Sequence, residues 1–206
     1  MISDKELEEI AGNPSPLRVK QNMCVVNPVD HAEGAFWIVY GQVQLAFHAN
    51  QGNEKTLEIL GEEMCFGLDE MLLERPHQAF MKTTADSMLL HTERDAMLQI
   101  AKKNFGFARE LMTCVSRQFY ALVHDIESYS LPARQRLATY LLRQSQRQSD
   151  DNIQLISNKA LIASRLSLTP ETLSRLFHDF SDEGLIEVTG RHIKIIDGKK
   201  MASLLL

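Results

Sequence analysis

The sequence predicts an α+β protein: an N-terminal jelly-roll barrel, one long helix, and a C-terminal winged helix-turn-helix. Three observations predict it. Short apolar runs divided by turn residues fill positions 17–91, the rhythm of a small barrel or jelly roll. A helical period then runs through Asn104–Ser128 with no proline and only Gly106 near its start. Two capped helical segments flank a tight turn over 159–183, with a hairpin pattern behind them. The chain therefore divides into 1–103, 104–129 and 130–206.

In chain order, Leu7 and Ile10 stand at helical spacing before Gly12-Asn13-Pro14-Ser15-Pro16 stops the helix. Candidate strands follow at Met23–Val26, Ala35–Tyr40, Gln42–His48, Lys55–Leu60, Ala79–Thr84 and Ser87–His91, with turns at Gly41, Asn50–Asn53 and Gly61. In Gln42–His48, Val43, Leu45 and Phe47 alternate with Gln42, Gln44, Ala46 and His48, so the first three are expected inside. On the long helix, Leu111, Val115, Phe119, Leu122, Ile126 and Tyr129 recur at spacings of 4, 4, 3, 4 and 3. Such a seam packs on the barrel or on a second helix. At ~1.5 Å per residue the helix outreaches so small a barrel, which favours a partner helix, with Leu111, Val115, Phe119, Leu122 and Ile126 at the dimer interface. Ser130-Leu131-Pro132 ends it, and the next helix runs to about Gln148, followed by a polar loop through Asn152.

Composition narrows the function. Hydrophobic residues make up 44% and charged ones 24%, an ordinary globular balance that excludes wholesale disorder. The longest apolar run, Ala35–Tyr40, is far too short to span a membrane. Met1–Glu6 lacks the basic-then-apolar pattern of an export signal. Cys24, Cys65 and Cys114 are widely scattered, which speaks against a disulfide framework; a cytoplasmic location is expected. The net charge of −5 hides an asymmetry: residues 1–129 hold 11 basic and 19 acidic side chains, residues 130–206 hold 11 and 8. The C-terminal part is thus net positive, the sign that suits a nucleic-acid partner.

That part carries the strongest motif. Lys159–Leu166 reads as a short helix, Ser167-Leu168 as the turn, and Thr169–Glu183 as a second helix with Thr169 as N-cap, Pro170 at N1 and Gly184 as stop. Leu173, Leu176, Phe177 and Phe180 make its core stripe. A recognition helix meets the DNA major groove with its N-terminal residues, here Thr169, Glu171, Thr172, Ser174 and Arg175. Arg175 can bond guanine O6 and N7, and Glu171 can accept from cytosine N4. Thr169 and Thr172 suit phosphate contacts near the helix N-terminus, and Lys159 is a further candidate contact. Leu185–Val188 and Arg191–Ile196 around Thr189-Gly190 read as the wing, with Arg191 and Lys194 as backbone contacts.

With these residues in view, the sequence resembles the CRP/FNR family of bacterial transcription factors. The resemblance rests on Thr169–Arg175 and Asp182-Glu183-Gly184-Leu185-Ile186, supported by Gly41-Gln42-Val43, Leu57–Gly61 and Arg136-Leu137-Ala138. It implies a β-roll sensor domain like cyclic-nucleotide-binding domains, a dimerisation helix, and a homodimer bound to palindromic double-stranded DNA, with RNA polymerase as a partner. Glu171, Ser174 and Arg175 look like the FNR branch, which reads TTGAT-type half-sites.

The roll departs from the best-known members. Cyclic-nucleotide binders carry Gly-Glu and Arg-Ser pairs; the matching positions, an expected effector pocket, are Gly67-Leu68 and Gln78-Ala79. Without the charged partners a cyclic phosphate loses its charge-assisted bonds, which argues against cyclic AMP unless Glu70 or Arg75 substitutes in a slipped register. Residues 1–23 have no cysteine, which argues against the iron–sulfur cluster of the oxygen-sensing branch. Haem is the remaining cofactor expectation, with His77 as first candidate ligand among His31, His48, His77, His91 and His124. Thiol sensing through Cys24 or Cys114 is a further alternative. The competing class, a cupin-like metal enzyme, needs two histidines at i, i+2, and Asn50 stands two residues after His48; no catalytic residues are expected.

Overall fold

Two four-stranded antiparallel sheets form the N-terminal roll in the computed structural model, which describes residues 15–48, 54–148, 150–155 and 158–205. The helix expected around Leu7 and Ile10 and the turn expected at Asn50–Asn53 lie outside the described residues. Two compact units divide the chain, Met1–Ala121 and Leu122–Leu206.

In the first unit the strands are β1 (Ser15–Val19), β2 (Cys24–Val26), β3 (Gly34–Tyr40), β4 (Val43–His48), β5 (Glu54–Leu60), β6 (Cys65–Phe66), β7 (Phe80–Thr83) and β8 (Ser87–Glu93). One sheet has the order β1-β8-β3-β6 and the other β2-β7-β4-β5. All six expected strands occur, with ends moved by one or two residues. Val26, Ile38, Val43, Leu60, Phe66, Met81 and Leu89 form one core cluster of this unit. A short helix α1 (Leu68–Leu73) interrupts the strands between β6 and β7, and α2 (Arg94–Lys103) leads into α3 (Phe105–Tyr129).

Strand β4 corrects the expected alternation. Gln44 is buried with its Nε2 2.9 Å from Thr56 Oγ1, whereas Phe47 is exposed and Leu45 only half-buried. The register against β5 shifts between Leu45 and Ala46. The extra residue there is Leu57 of β5, and Gln44, ahead of the shift, is accommodated inside by its bond to Thr56.

Helix α3 also divides differently from the expected seam. Phe107 and Leu111 are buried with Ala35, Cys65, Leu68 and Met71, and Cys114 and Val115 pack against the same cluster. Met112, Phe119, Leu122, Val123 and Ile126 are exposed. Leu111, only 6% exposed, is a core residue of its own roll. Met112, Phe119, Leu122 and Ile126 are exposed and Val115 among them is half-buried, at spacings of 3, 4, 3 and 4 that make a heptad pattern.

The second unit begins with the end of α3 and contains α4 (Ala133–Gln148), β9 (Asn152–Gln154), α5 (Lys159–Arg165), α6 (Pro170–Asp182), β10 (Ile186–Thr189), β11 (His192–Ile195) and α7 (Gly198–Ser203). Its core joins Leu137 and Leu141 of α4, Ile162 of α5, Leu173 and Phe180 of α6, and Ile193 of β11. Strand β9 begins at Asn152, the last residue of the expected polar loop, and pairs with β11 through Ile153 and Ile193. Burial of Ile153 explains why so polar a stretch carries a strand.

Candidate nucleic-acid interface

The geometry of the second unit grows from its caps. The Asn158 side chain accepts from the Leu161 N–H at 2.9 Å and opens α5. Ser167, at φ 54°, makes the turn, and the Leu168 N–H reaches back to the Ala163 carbonyl at 2.9 Å. The Thr169 hydroxyl then accepts from the Thr172 N–H at 3.2 Å, and Pro170 supplies a first-turn residue that needs no such partner. Leu173, Leu176, Phe177 and Phe180 bury one stripe of α6. Gly184 follows the helix, its N–H bonded to the Ser181 carbonyl at 3.0 Å.

Burial of that stripe leaves the other face to solvent. Thr169, Glu171, Ser174 and Arg175 are exposed and Thr172 is half-buried. The backbone N–H of Glu171, and then the Thr169 hydroxyl, hold the Glu171 carboxyl below the usual carboxylate range. An ionised acceptor thus stands at the positive end of the helix dipole. Lys159 is exposed with its ammonium 5.4 Å from the centre of the Phe177 ring. The wing strands β10 and β11 pair from Ile186↔Ile195 to Thr189↔His192, leaving Gly190-Arg191 as a two-residue turn. Gly190 takes φ 64°, the left-handed conformation that such a turn demands. Arg191 is exposed at its tip and Lys194 is exposed on β11.

Two arginines of α4 hold this arrangement from behind. Arg136 Nη1 donates to the Leu166 carbonyl at 2.6 Å and to the Ser167 carbonyl at 3.3 Å, satisfying carbonyls that the end of α5 leaves open. Arg134 bonds the Glu183 carboxylate and lies 4.9 Å from the centre of the Phe180 ring. The sequence singled out Arg136 and Glu183 as motif residues but gave no sign that each had this partner.

The expected effector residues gather around α1, where Gly67 lies against the His77 ring and the Gln78 N–H donates to Glu70 Oε1 at 3.4 Å. Gly67, at φ 76°, caps α1, while Leu68 and Ala79 are core residues and Gln78 is exposed with its Nε2 on the Pro76 carbonyl at 3.2 Å. What meets in the roll is Glu70 and His77, with Nδ1 3.4 Å from Oε2 and neither atom hydrogen-bonded. Burial, and then the neighbouring Asp69, push the Glu70 carboxyl up to about 7. Burial lowers His77, against the opposing pull of Asp69 and Asp30. A Cβ on Gly67 would come within 3.2 Å of the His77 ring. A haem ligand must present a free ring nitrogen to the iron; His77 is buried with Nδ1 turned to Glu70, so its ring does not present that nitrogen. His31 is exposed, His48 stacks on Phe80 and His91 lies tilted against Phe36; the His124 side chain lies outside the described residues. Glu70 turns towards His77, and Arg75 is exposed, so the slipped register gains no support.

A Crp-like helix-turn-helix domain matches residues 135–204, and a cyclic nucleotide-binding domain matches residues 16–104, more than three quarters of the chain between them. The chain belongs to the CRP/FNR family. Among curated proteins it is 25% identical over 190 residues to the Transcriptional regulatory protein btr of Bordetella pertussis, covering 88% of this chain and 77% of that one. FixK2 from Bradyrhizobium japonicum shares its fold at a TM-score of 0.82 with 19% identity, covering 93% of this chain and 96% of that chain. A CooA mutant from Carboxydothermus hydrogenoformans does so at 0.81 with 21% identity, covering 100% and 92%. Membership makes the chain a DNA-binding transcription regulator with an effector-binding domain, and it points away from a cupin-like metal enzyme. Among the described residues, no helix is long and apolar enough to cross a membrane.

Proposed function

We propose that the chain works as a homodimeric, sequence-specific regulator in the cytoplasm, with α6 as the recognition helix. The observation that carries the reading is the division of α6: one stripe is consumed by the core and the first two turns of the other face are open. Arg175 then reads a guanine, Glu171 a cytosine, and Ser174 lies between them. Thr169, Thr172, Lys159 and Arg191 contact the phosphate backbone, positioning the helix without reading sequence. By their likeness to the FNR branch, Glu171, Ser174 and Arg175 favour TTGAT-like half-sites arranged as a palindrome.

Two copies pair along Met112, Val115, Phe119, Leu122 and Ile126, with 104–129 as the dimerisation segment between a sensor at 1–103 and a DNA-binding part at 130–206. Exposure of four of those five apolar side chains supports this. A dimer sets two recognition helices about one DNA turn apart, roughly 34 Å. An effector bound in the roll alters how α3 packs, and the coupling reorients the recognition helices; RNA polymerase is the downstream partner. The test is fluorescence anisotropy of the full chain on a TTGAT palindrome, on a scrambled duplex, and on a palindrome with its half-sites moved by half a turn. Tight, salt-dependent binding to the first alone is expected. Equal binding to all three contradicts the reading.

A further inference from the structure

Leu111, Cys114 and Gln118 follow one another along one face of α3, at i, i+3 and i+7. Leu111 is buried in the same cluster as Cys65, and Gln118 Nε2 donates to the Cys65 carbonyl at 3.1 Å. Cys114, between them, packs against that same cluster, which brings its side chain beside Cys65. We propose that Cys65 and Cys114 are a redox pair that a hydroperoxide converts into an intramolecular disulfide joining β6 to α3. The claim does not depend on how the chain reads DNA.

Their surroundings assign the two roles. Cys65 is fully buried, and the bond to Cys114, with burial next, pushes its thiol up, so it keeps its proton. Cys114 is half-exposed, and its thiol is lowered by the bond from Cys65 and by Arg117, against burial, Asp69 and Glu58. Thiolate character with access is what makes a cysteine reactive. The Cys114 thiolate attacks one peroxide oxygen and the O–O bond breaks. The departing oxygen takes up the proton released by Cys114 and leaves as water (or as an alcohol), giving a sulfenic acid. The Cys65 sulfur then attacks the Cys114 sulfur, the S–O bond breaks, and hydroxide leaves with the Cys65 proton as water. Two thiols lose two electrons and the peroxide gains them. In a compartment that keeps thiols reduced, a disulfide of this kind is transient and reports oxidant rather than holding the fold. Cys24 is exposed, but burial of its sulfur raises its thiol, which makes it the internal control.

The test uses the reduced full chain, freed of reductant and treated under native conditions with a few equivalents of hydrogen peroxide. Non-reducing peptide mapping is expected to find Cys65 joined to Cys114 within one chain, with two of the three free thiols lost. Cys114→Ser should abolish the cross-link, Cys65→Ser should leave a sulfenic acid on Cys114 that a 1,3-diketone traps, and Cys24→Ser should change nothing. Retention of all thiols, preferential oxidation of Cys24, or Cys114 joined between chains overturns the proposal. Because the wild-type map decides alone, a variant that fails to fold does not blunt the test.

Discussion

Arg136 reaches across thirty positions of sequence to the Leu166 carbonyl, 2.6 Å away. One guanidinium on α4 thereby fixes the end of α5 and the turn before the recognition helix. A charged hydrogen bond of this kind is worth about 1.5–3 kcal/mol. Arg136→Ala is expected to lower stability by that amount in urea unfolding. Arg136→Lys should recover only part, because a single ammonium cannot reproduce the planar fork.

The helix-turn-helix was legible because its signals are local: Thr169, Pro170 and Gly184 each act within a turn of their own position. The six roll strands were legible for the same reason, from short apolar runs between turn residues. Which side chains β4 buries was not, since the Thr56 hydroxyl that bonds the buried Gln44 belongs to β5 and leaves no mark in β4 alone. How the α3 seam divides was not legible either: Leu111 and Met112 are adjacent apolar residues, and only the roll packed beside them decides which is buried. Glu70 and His77 meet because the chain folds back after α1, a contact that spacing does not announce. A carboxylate among Leu68, Met71 and Leu72 was the one sign available.

The burial of Leu111 and the exposure of Phe119 separate two variants. Leu111→Ala removes a buried side chain and should lower stability by about 2–5 kcal/mol while leaving a dimer. Phe119→Glu alters a residue 67% exposed in the single chain. It should leave chain stability nearly unchanged and weaken dimerisation by roughly 2 kcal/mol or more, about thirtyfold. Sedimentation velocity across a concentration series reads the second effect, and thermal unfolding reads the first.

Glu70 gives the roll a pH dependence whose sign is fixed. Its folded carboxyl sits at about 7, above the usual range, so the folded state holds the proton more tightly than the unfolded one. The resulting stability is full below the unfolded carboxyl's range and is lost as pH rises through 7. His77 works in the opposite sense: lowered in the fold, it favours the folded state as pH rises through the ordinary histidine range. Glu70→Gln removes only the first effect. Relative to wild type it should gain on the order of 1–2 kcal/mol between pH 5 and pH 8, after allowance for solvent screening. Thermal melts at both values check this.

The wing and the first helix contribute attraction without discrimination. Lys159→Ala and Arg191→Ala should each weaken binding equally on matched and scrambled duplexes and reduce the salt slope by about one unit. A titration from low to moderate salt reads this directly.

The most direct test is the base-by-base binding profile of Arg175→Ala against wild type, measured on single-substitution variants of the palindrome. If α6 reads the major groove, the variant loses roughly 1–3 kcal/mol on the intact site and becomes indifferent to one guanine per half-site, with every other position discriminated as before. A loss of the same size at all positions, with guanine preference retained, would place Arg175 on the backbone and contradict base reading by this helix.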